Sequence, residues 1–217
     1  MLQEQIRDLT GRLVGYARLV EGMIERCIAA LAAGDPAPLA GVVGEQEHRA
    51  NELEVELEAA GAALIAQFQP KARDLRTVLM VLGITNDLER LGDHAVNIAE
   101  AVRWLLAQAP RHDRSVLPRM AAAAVRMIDD AISAFVAGDA ALARRVCESD
   151  QIVDDLADGV LRETVVAMAG NPSSIEAGLE VLKIAGNLER IADLATNIGE
   201  DLVYMVEGLV IKHHRAT

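Results

Sequence analysis

Apolar residues recur every three or four positions along most of this chain, with polar residues between them. Leu91, Ala95, Ile98 and Val102 are one such run. At about 100° per residue they gather on one side of a helix, and this spacing predicts an α-helix rather than a strand. Glycine, proline and capping residues divide the periodic stretches into six predicted helices. The first runs from about Gln3 to Ala33 and is stopped by Gly34. Asp35 followed by Pro36 reads as an N-cap with proline at the first helical position, so a second helix is expected from there to about Gln69, its start loosened by the glycines between 41 and 44. Pro70 breaks it, and Asp74 is expected to cap a third helix reaching Gln108. A fourth, capped by Ser115, ends near Ala137, and a fifth runs from Gly138-Asp139 to about Ala169. Ser173 with Glu176 has the form of a capping box for a sixth helix ending near Glu207. Helices of about 30 residues are ~45 Å long, which suits antiparallel bundles joined by short turns.

The chain then repeats itself. Leu88-Glu-Arg-Leu-Gly-Asp-His-Ala-Val-Asn-Ile-Ala-Glu100 aligns with the segment from Leu188 to Glu200 at an offset of 100, with eight of 13 positions identical. Met23-Ile-Glu25 matches Met127-Ile-Asp129, and Ala33-Gly-Asp35 matches Ala137-Gly-Asp139, both at an offset of 104. The second and fifth helices align at 103, Glu47 on Asp150 and Leu53 on Leu156. The offset shifts only at turns, where insertions are tolerated. The unit is therefore three helices used twice. The expected fold is all-α, two tandem three-helix bundles over 1–110 and 115–208, joined by a polar segment at 109–115 and followed by a tail at 209–217.

Composition refines this picture. Hydrophobic residues make up 52% of the chain and aromatics only 2%, so the core must be Ala, Leu, Val and Ile, which close-packed helices accommodate. The net charge of −12 repels nucleic-acid phosphates and anionic membranes and favours cations or a basic partner. Cys27 and Cys147 each stand alone in a helical pattern and read as reduced thiols serving as small hydrophobes. The N-terminal residues lack a signal peptide's basic start and apolar stretch, and no apolar run approaches the ~20 residues of a membrane span. The expected setting is cytoplasmic.

The polar faces carry the candidate chemistry. Glu89, Asp93, Asn97 and Glu100 fall within about 80° of one another on a helical wheel, opposite the apolar face. Glu189, Asp193, Asn197 and Glu200 repeat this on the sixth helix. The second helix carries Glu47, Asn51, Glu54 and Glu58 on one stripe, and the fifth Asp150, Asp154 and Asp158. A solvated helix face ordinarily mixes charge signs; these stripes hold no lysine and no central arginine. Carboxylates four residues apart repel, and a hard cation offsets that cost. Oxygen donors suit Mg, Mn, Ca or iron and not structural zinc. His94, His48, His112, His213 and His214 read as packing, surface or tail residues. No nucleophile motif, glycine-rich phosphate loop or dinucleotide fingerprint occurs, and the chain does not hold the two Glu-x-x-His segments of a di-iron oxidase. No catalytic residue and no organic cofactor are expected.

At Leu88-Glu-Arg-Leu-Gly-Asp93 and Leu188-Glu-Arg-Ile-Ala-Asp193 the sequence resembles the PhoU family. The resemblance extends over nearly the whole chain. It includes the acidic E(D)xxxD pattern, here Glu47-x-x-x-Asn51, Glu89-x-x-x-Asp93, Asp150-x-x-x-Asp154 and Glu189-x-x-x-Asp193, with Arg73-Asp-Leu-Arg76 and Tyr204-Met-Val-Glu-Gly208. Asn51 departs from the pattern's acid, and the second bundle is accordingly expected to hold metal more tightly. The resemblance implies a regulator, not an enzyme: a cytoplasmic homodimer accessory to the phosphate ABC transporter. It would link the transporter's ATPase subunit to a phosphate-sensing histidine kinase and hold the phosphate-starvation response off. It further implies metal ions on the bundle surface, iron foremost, with Mn, Mg or Zn as alternatives. The ligands would be Glu89, Asp93, Glu189 and Asp193, completed by Glu47, Asn51, Asp150 and Asp154, with Asn97, Asn197, Glu100 and Glu200 beside them. A PhoU-like interaction domain serving another phosphate or cation transporter, and more remotely a metal-dependent enzyme, are the alternatives.

Overall fold

The computed structural model describes residues 1–108, 116–209 and 211. Six α-helices account for most of it: α1 (Leu2–Ala33), α2 (Glu47–Phe68), α3 (Ala72–Gln108), α4 (Val116–Ala137), α5 (Ala140–Gly170) and α6 (Ile175–Glu207). The expected segment at 109–115, the Ser115 cap, and all of the tail except Leu209 and Ile211 lie outside the described residues, as do His112, His213 and His214.

In α1 the buried positions Leu9, Leu13, Tyr16, Val20, Ile24 and Cys27 form a continuous stripe. That stripe packs α1 against α2 and α3, and α4 packs in the same way on α5 and α6. The two bundles meet through α1 against α4 and α3 against α6. Helices α2 and α5 are therefore outer helices. The core is a single apolar cluster running through both repeats, with Leu88 and Leu188 fully buried at equivalent positions. A polar contact crosses between the bundles: His94 Nδ1 on α3 lies 2.8 Å from Asn187 Oδ1 on α6. His94 thus does more than fill surface, since it ties the two repeats together.

Three boundaries differ from the sequence reading. The second helix does not begin at Asp35. A short 3-10 turn (Ala37–Leu39) and a π-helical turn (Val42–Gln46) come first. Gly41 and Gly44 take φ of 90° and 109°, and Val43 is extended, so the α-helical ladder cannot run through them. Asp35 Oδ1 accepts from the Ala37 N–H at 2.9 Å, but at the entry to the 3-10 turn, whose N-cap is Pro36, and not at the start of α2. The third helix begins at Ala72, two residues before its expected cap; Asp74 sits inside the first turn and accepts from Gln3 Nε2 at 2.9 Å. The capping box at the sixth helix is also overturned. The N-cap is Ser174, with no side-chain bond, while Asn171 Oδ1 accepts from Ser173 and caps a 3-10 turn, Pro172–Ser174. Proline at 172 makes that tight turn the nearest way into the helix. Gly34 and Gly208 terminate α1 and α6 in left-handed conformations, as their positions predict.

Candidate metal-binding acidic stripes

Within each repeat the outer helix lies against the third helix, which brings their polar stripes onto a common face. In the first bundle burial, then the charges of Asp93 and Glu54, push the Glu89 carboxyl above its ordinary range. Glu54 is raised in turn by burial, by Glu58 on its own helix and by Asp93 across the groove. In the second bundle Glu189 is raised by burial, then by Asp154 and Asp193, with Asp158 adding to them. Both repeats therefore place carboxylates of two helices within electrostatic reach of each other. They are neighbours rather than a closed ligand set. Among the described residues, no three His, Cys, Asp or Glu side chains converge tightly enough to hold one ion.

The expected residues fall into two stations along each groove. Glu189 and Glu200 are eleven residues apart on α6, about 16 Å along the axis, so they cannot share one ion. At the second station Glu200 and Asp150 both act on the half-buried Cys147. Burial and then the Glu200 and Asp150 charges push its thiol up to about 11, leaving it protonated at neutral pH. The first bundle's counterpart of Asp150, Glu47, accepts a bond from the Gly44 N–H at 3.3 Å and so braces the π-helical turn. Asn51, Glu100, Asp93, Asp193 and Asn197 are exposed, and Asn97 is half-buried.

Two residues at the first groove stand outside the family pattern. By the 103-residue offset Asn51 pairs with Asp154, and Glu54 pairs with Ala157. The carboxylate absent at 51 is thus supplied one turn further on, on the same stripe. The other residue is Tyr16. It is fully buried on α1, its hydroxyl finds no hydrogen-bond partner among the described residues, and its phenol is pushed up by burial and by Glu54, Glu89 and Asp93. The equivalent position in the second repeat is Met120, an apolar side chain. The contrast between Tyr16 and Met120 at offset 104 was the available sequence signal for this residue.

The donor chemistry fits a hard cation. The coupled groups at the first station are carboxylates, without thiol or imidazole, and their mutual charge raises proton affinity, which a bound cation would oppose. The reported geometry defines a class of protein: a tandem three-helix-bundle protein with paired acidic grooves, one per repeat. The PhoU domain family matches residues 13–102 and again 117–202. A phosphate-specific transport system accessory protein PhoU homolog of Caulobacter vibrioides is 35% identical over 94% of this chain and 89% of its own length. The homolog of Streptococcus pneumoniae serotype 4 is 31% identical over 95% of both chains. The crystal structure of PhoU from Pseudomonas aeruginosa superposes with a TM-score of 0.90 at 30% identity, covering 96% of this chain and all of that one. The chain belongs to the PhoU family. No described helix is long and apolar enough to cross a membrane.

Proposed function

We propose that this chain is a metal-binding regulatory adaptor of phosphate uptake, acting through the surfaces of its two bundles rather than through catalysis. Its relatives are named as accessory proteins of the phosphate-specific transport system, which supports that role here. On this reading the protein is cytoplasmic and dimeric. It contacts the transporter's ATPase subunit and, through it, a phosphate-sensing histidine kinase at the inner membrane.

The observation that carries the metal assignment is the same electrostatic coupling in both repeats, Glu89 with Asp93 and Glu54, and Glu189 with Asp154 and Asp193. Neighbours rather than a closed ligand set as the grooves stand, Glu54, Glu89 and Asp93 would draw together around a cation at one groove, and Asp154, Asp158, Glu189 and Asp193 at the other. Glu47, Asp150, Glu100 and Glu200 would serve the second station of each. A bound ion, iron or manganese by donor hardness, would neutralise the groove and present an open coordination face to an anion that the bare surface repels.

Elemental analysis of tag-free protein purified without chelators tests this. The wild type is expected to carry at least one equivalent of iron or manganese per repeat. The double variant Glu189→Gln, Asp193→Asn should lose the share of its own bundle while keeping its helical circular dichroism. Full metal content in that variant would show that these carboxylates are not ligands.

A further inference from the structure

The chain carries 33 acidic residues against 21 basic ones, yet one cleft reverses that balance. It lies where the first turns of α1 and α3 meet the last turns of α4 and α6, has a volume of about 540 Å³, and is walled by both bundles. Arg7 of α1 and Arg73 of α3 enter it from the first repeat; Phe135 and Val136 of α4 and Met205 of α6 close it from the second. Among the described residues no carboxylate lines this cleft. None of the ion pairs among the described residues engages Arg7 or Arg73. Two guanidinium groups from different helices, facing one space in so acidic a protein, mark a place where positive charge is held for something other than folding.

The local backbone supports the placement. Arg73 follows Ala72, which takes a φ of 47°, a left-handed conformation uncommon for a residue with a Cβ. Thr77 Oγ1 donates to the Arg73 carbonyl at 3.1 Å and steadies this first turn of α3. Across the cleft the turn at Gly138, whose φ is 65°, lies beside the Arg73 guanidinium: a Cβ there would stand 4.0 Å from it, at ordinary contact distance.

We propose that this cleft between the bundles binds a small phosphate monoester with an apolar body. Paired guanidinium groups match the multiple oxygens of a tetrahedral dianion, and Thr10 adds a hydroxyl donor beside them. Phe135, Val136 and Met205 offer an apolar wall that inorganic phosphate would leave uncovered. A cleft of this size falls in the range of small-molecule sites, roughly 300–1,000 Å³. Because its walls come from both repeats, the bound ester would also join them.

Isothermal titration calorimetry of the metal-free full chain with phenyl phosphate, inorganic phosphate and phenol is the test. Phenyl phosphate should bind saturably at one site per chain, at least tenfold more tightly than either of its fragments. Arg7→Gln with Arg73→Gln should weaken it tenfold or more. Val136→Glu, which places a carboxylate in the cleft, should do the same. All three positions are exposed, so circular dichroism should be unchanged. The metal-site variant Glu189→Gln, Asp193→Asn should retain binding, which separates this cleft from the acidic grooves. The proposal is overturned by an absence of phenyl phosphate binding, by unaltered affinity in either cleft variant, by inorganic phosphate or phenol binding as tightly, or by loss of binding in the metal-site variant.

Discussion

Tyr16 is the residue whose chemistry is least explained by packing alone. A buried hydroxyl without a partner costs free energy, on the order of 1–3 kcal/mol. Tyr16→Phe is therefore expected to raise the unfolding free energy of metal-free protein by up to about 1 kcal/mol in urea titration. A loss of that size would show that the hydroxyl is bonded. Glu21 offers a second residue-level test. It lines a cleft between α1 and α4 with Glu25 and Asp129. Burial, then Asp129 and Glu25, raise its carboxyl to about 7 against a pull downward from Arg18. The folded state thus binds a proton that the unfolded state, with a carboxyl near 4.5, releases. Linkage makes stability fall as pH rises from about 4.5 to about 7. Glu21→Gln should flatten that slope and raise the melting temperature at pH 8, by an amount worth roughly 1 kcal/mol once solvent screening of this half-buried group is allowed for. An unchanged melting curve at pH 8 would place Glu21 in water. Neither residue stands out in one sequence. Tyr16 fits the apolar stripe by spacing, and Glu21 looks like any charged residue of an amphipathic helix.

At the scale of helices, the contact between α5 and α6 rests on Gly199. A Cβ there would lie 3.0 Å from the Ala143 carbonyl oxygen and 3.2 Å from Cys147 Sγ. Backbone cannot yield as a side-chain end can, so Gly199→Ala is expected to destabilise by about 1–3 kcal/mol in chemical denaturation. Gly178→Ala meets only the flexible end of Met168 and the Thr164 methyl, and should cost less. Equal costs would mean that the α5–α6 spacing is not set at Gly199. The ends of these elements were only partly legible. Gly34 and Gly208 stop helices by a local requirement for positive φ. The starts misled because a short polar side chain serves equally well at a 3-10 turn or in another contact: Asp35 accepts from Ala37 at such a turn, Asn171 and not Ser173 caps the turn before α6, and Asp74 bonds Gln3 instead of capping. The glycines at 41 and 44 decided that competition for α2.

For the whole molecule, a single apolar cluster passes through both repeats, and α1 and α3 each pack on the other bundle. Calorimetry should therefore show one cooperative transition with agreement between calorimetric and van't Hoff enthalpies. Two separate transitions would mean that the bundles fold independently and that the shared core contributes little. The internal repeat suggests separable halves, because similarity along a chain says nothing about which apolar faces remain to be covered.

The helical class, the tandem repeat and the stripe residues Glu89, Asp93, Glu189 and Asp193 were all determined by the sequence alone. The reason is that periodicity and repetition are local properties, carried by spacing along one chain. Tertiary structure decided the rest. Only when α2 lies on α3 does Glu54 come to raise Glu89 across the groove. Only when the bundles meet does His94 reach Asn187, and do Arg7 and Arg73, 66 residues apart, face one cleft. Those encounters depend on which faces two helices bury against each other, a choice made by the packing of the whole core and not by any segment within it.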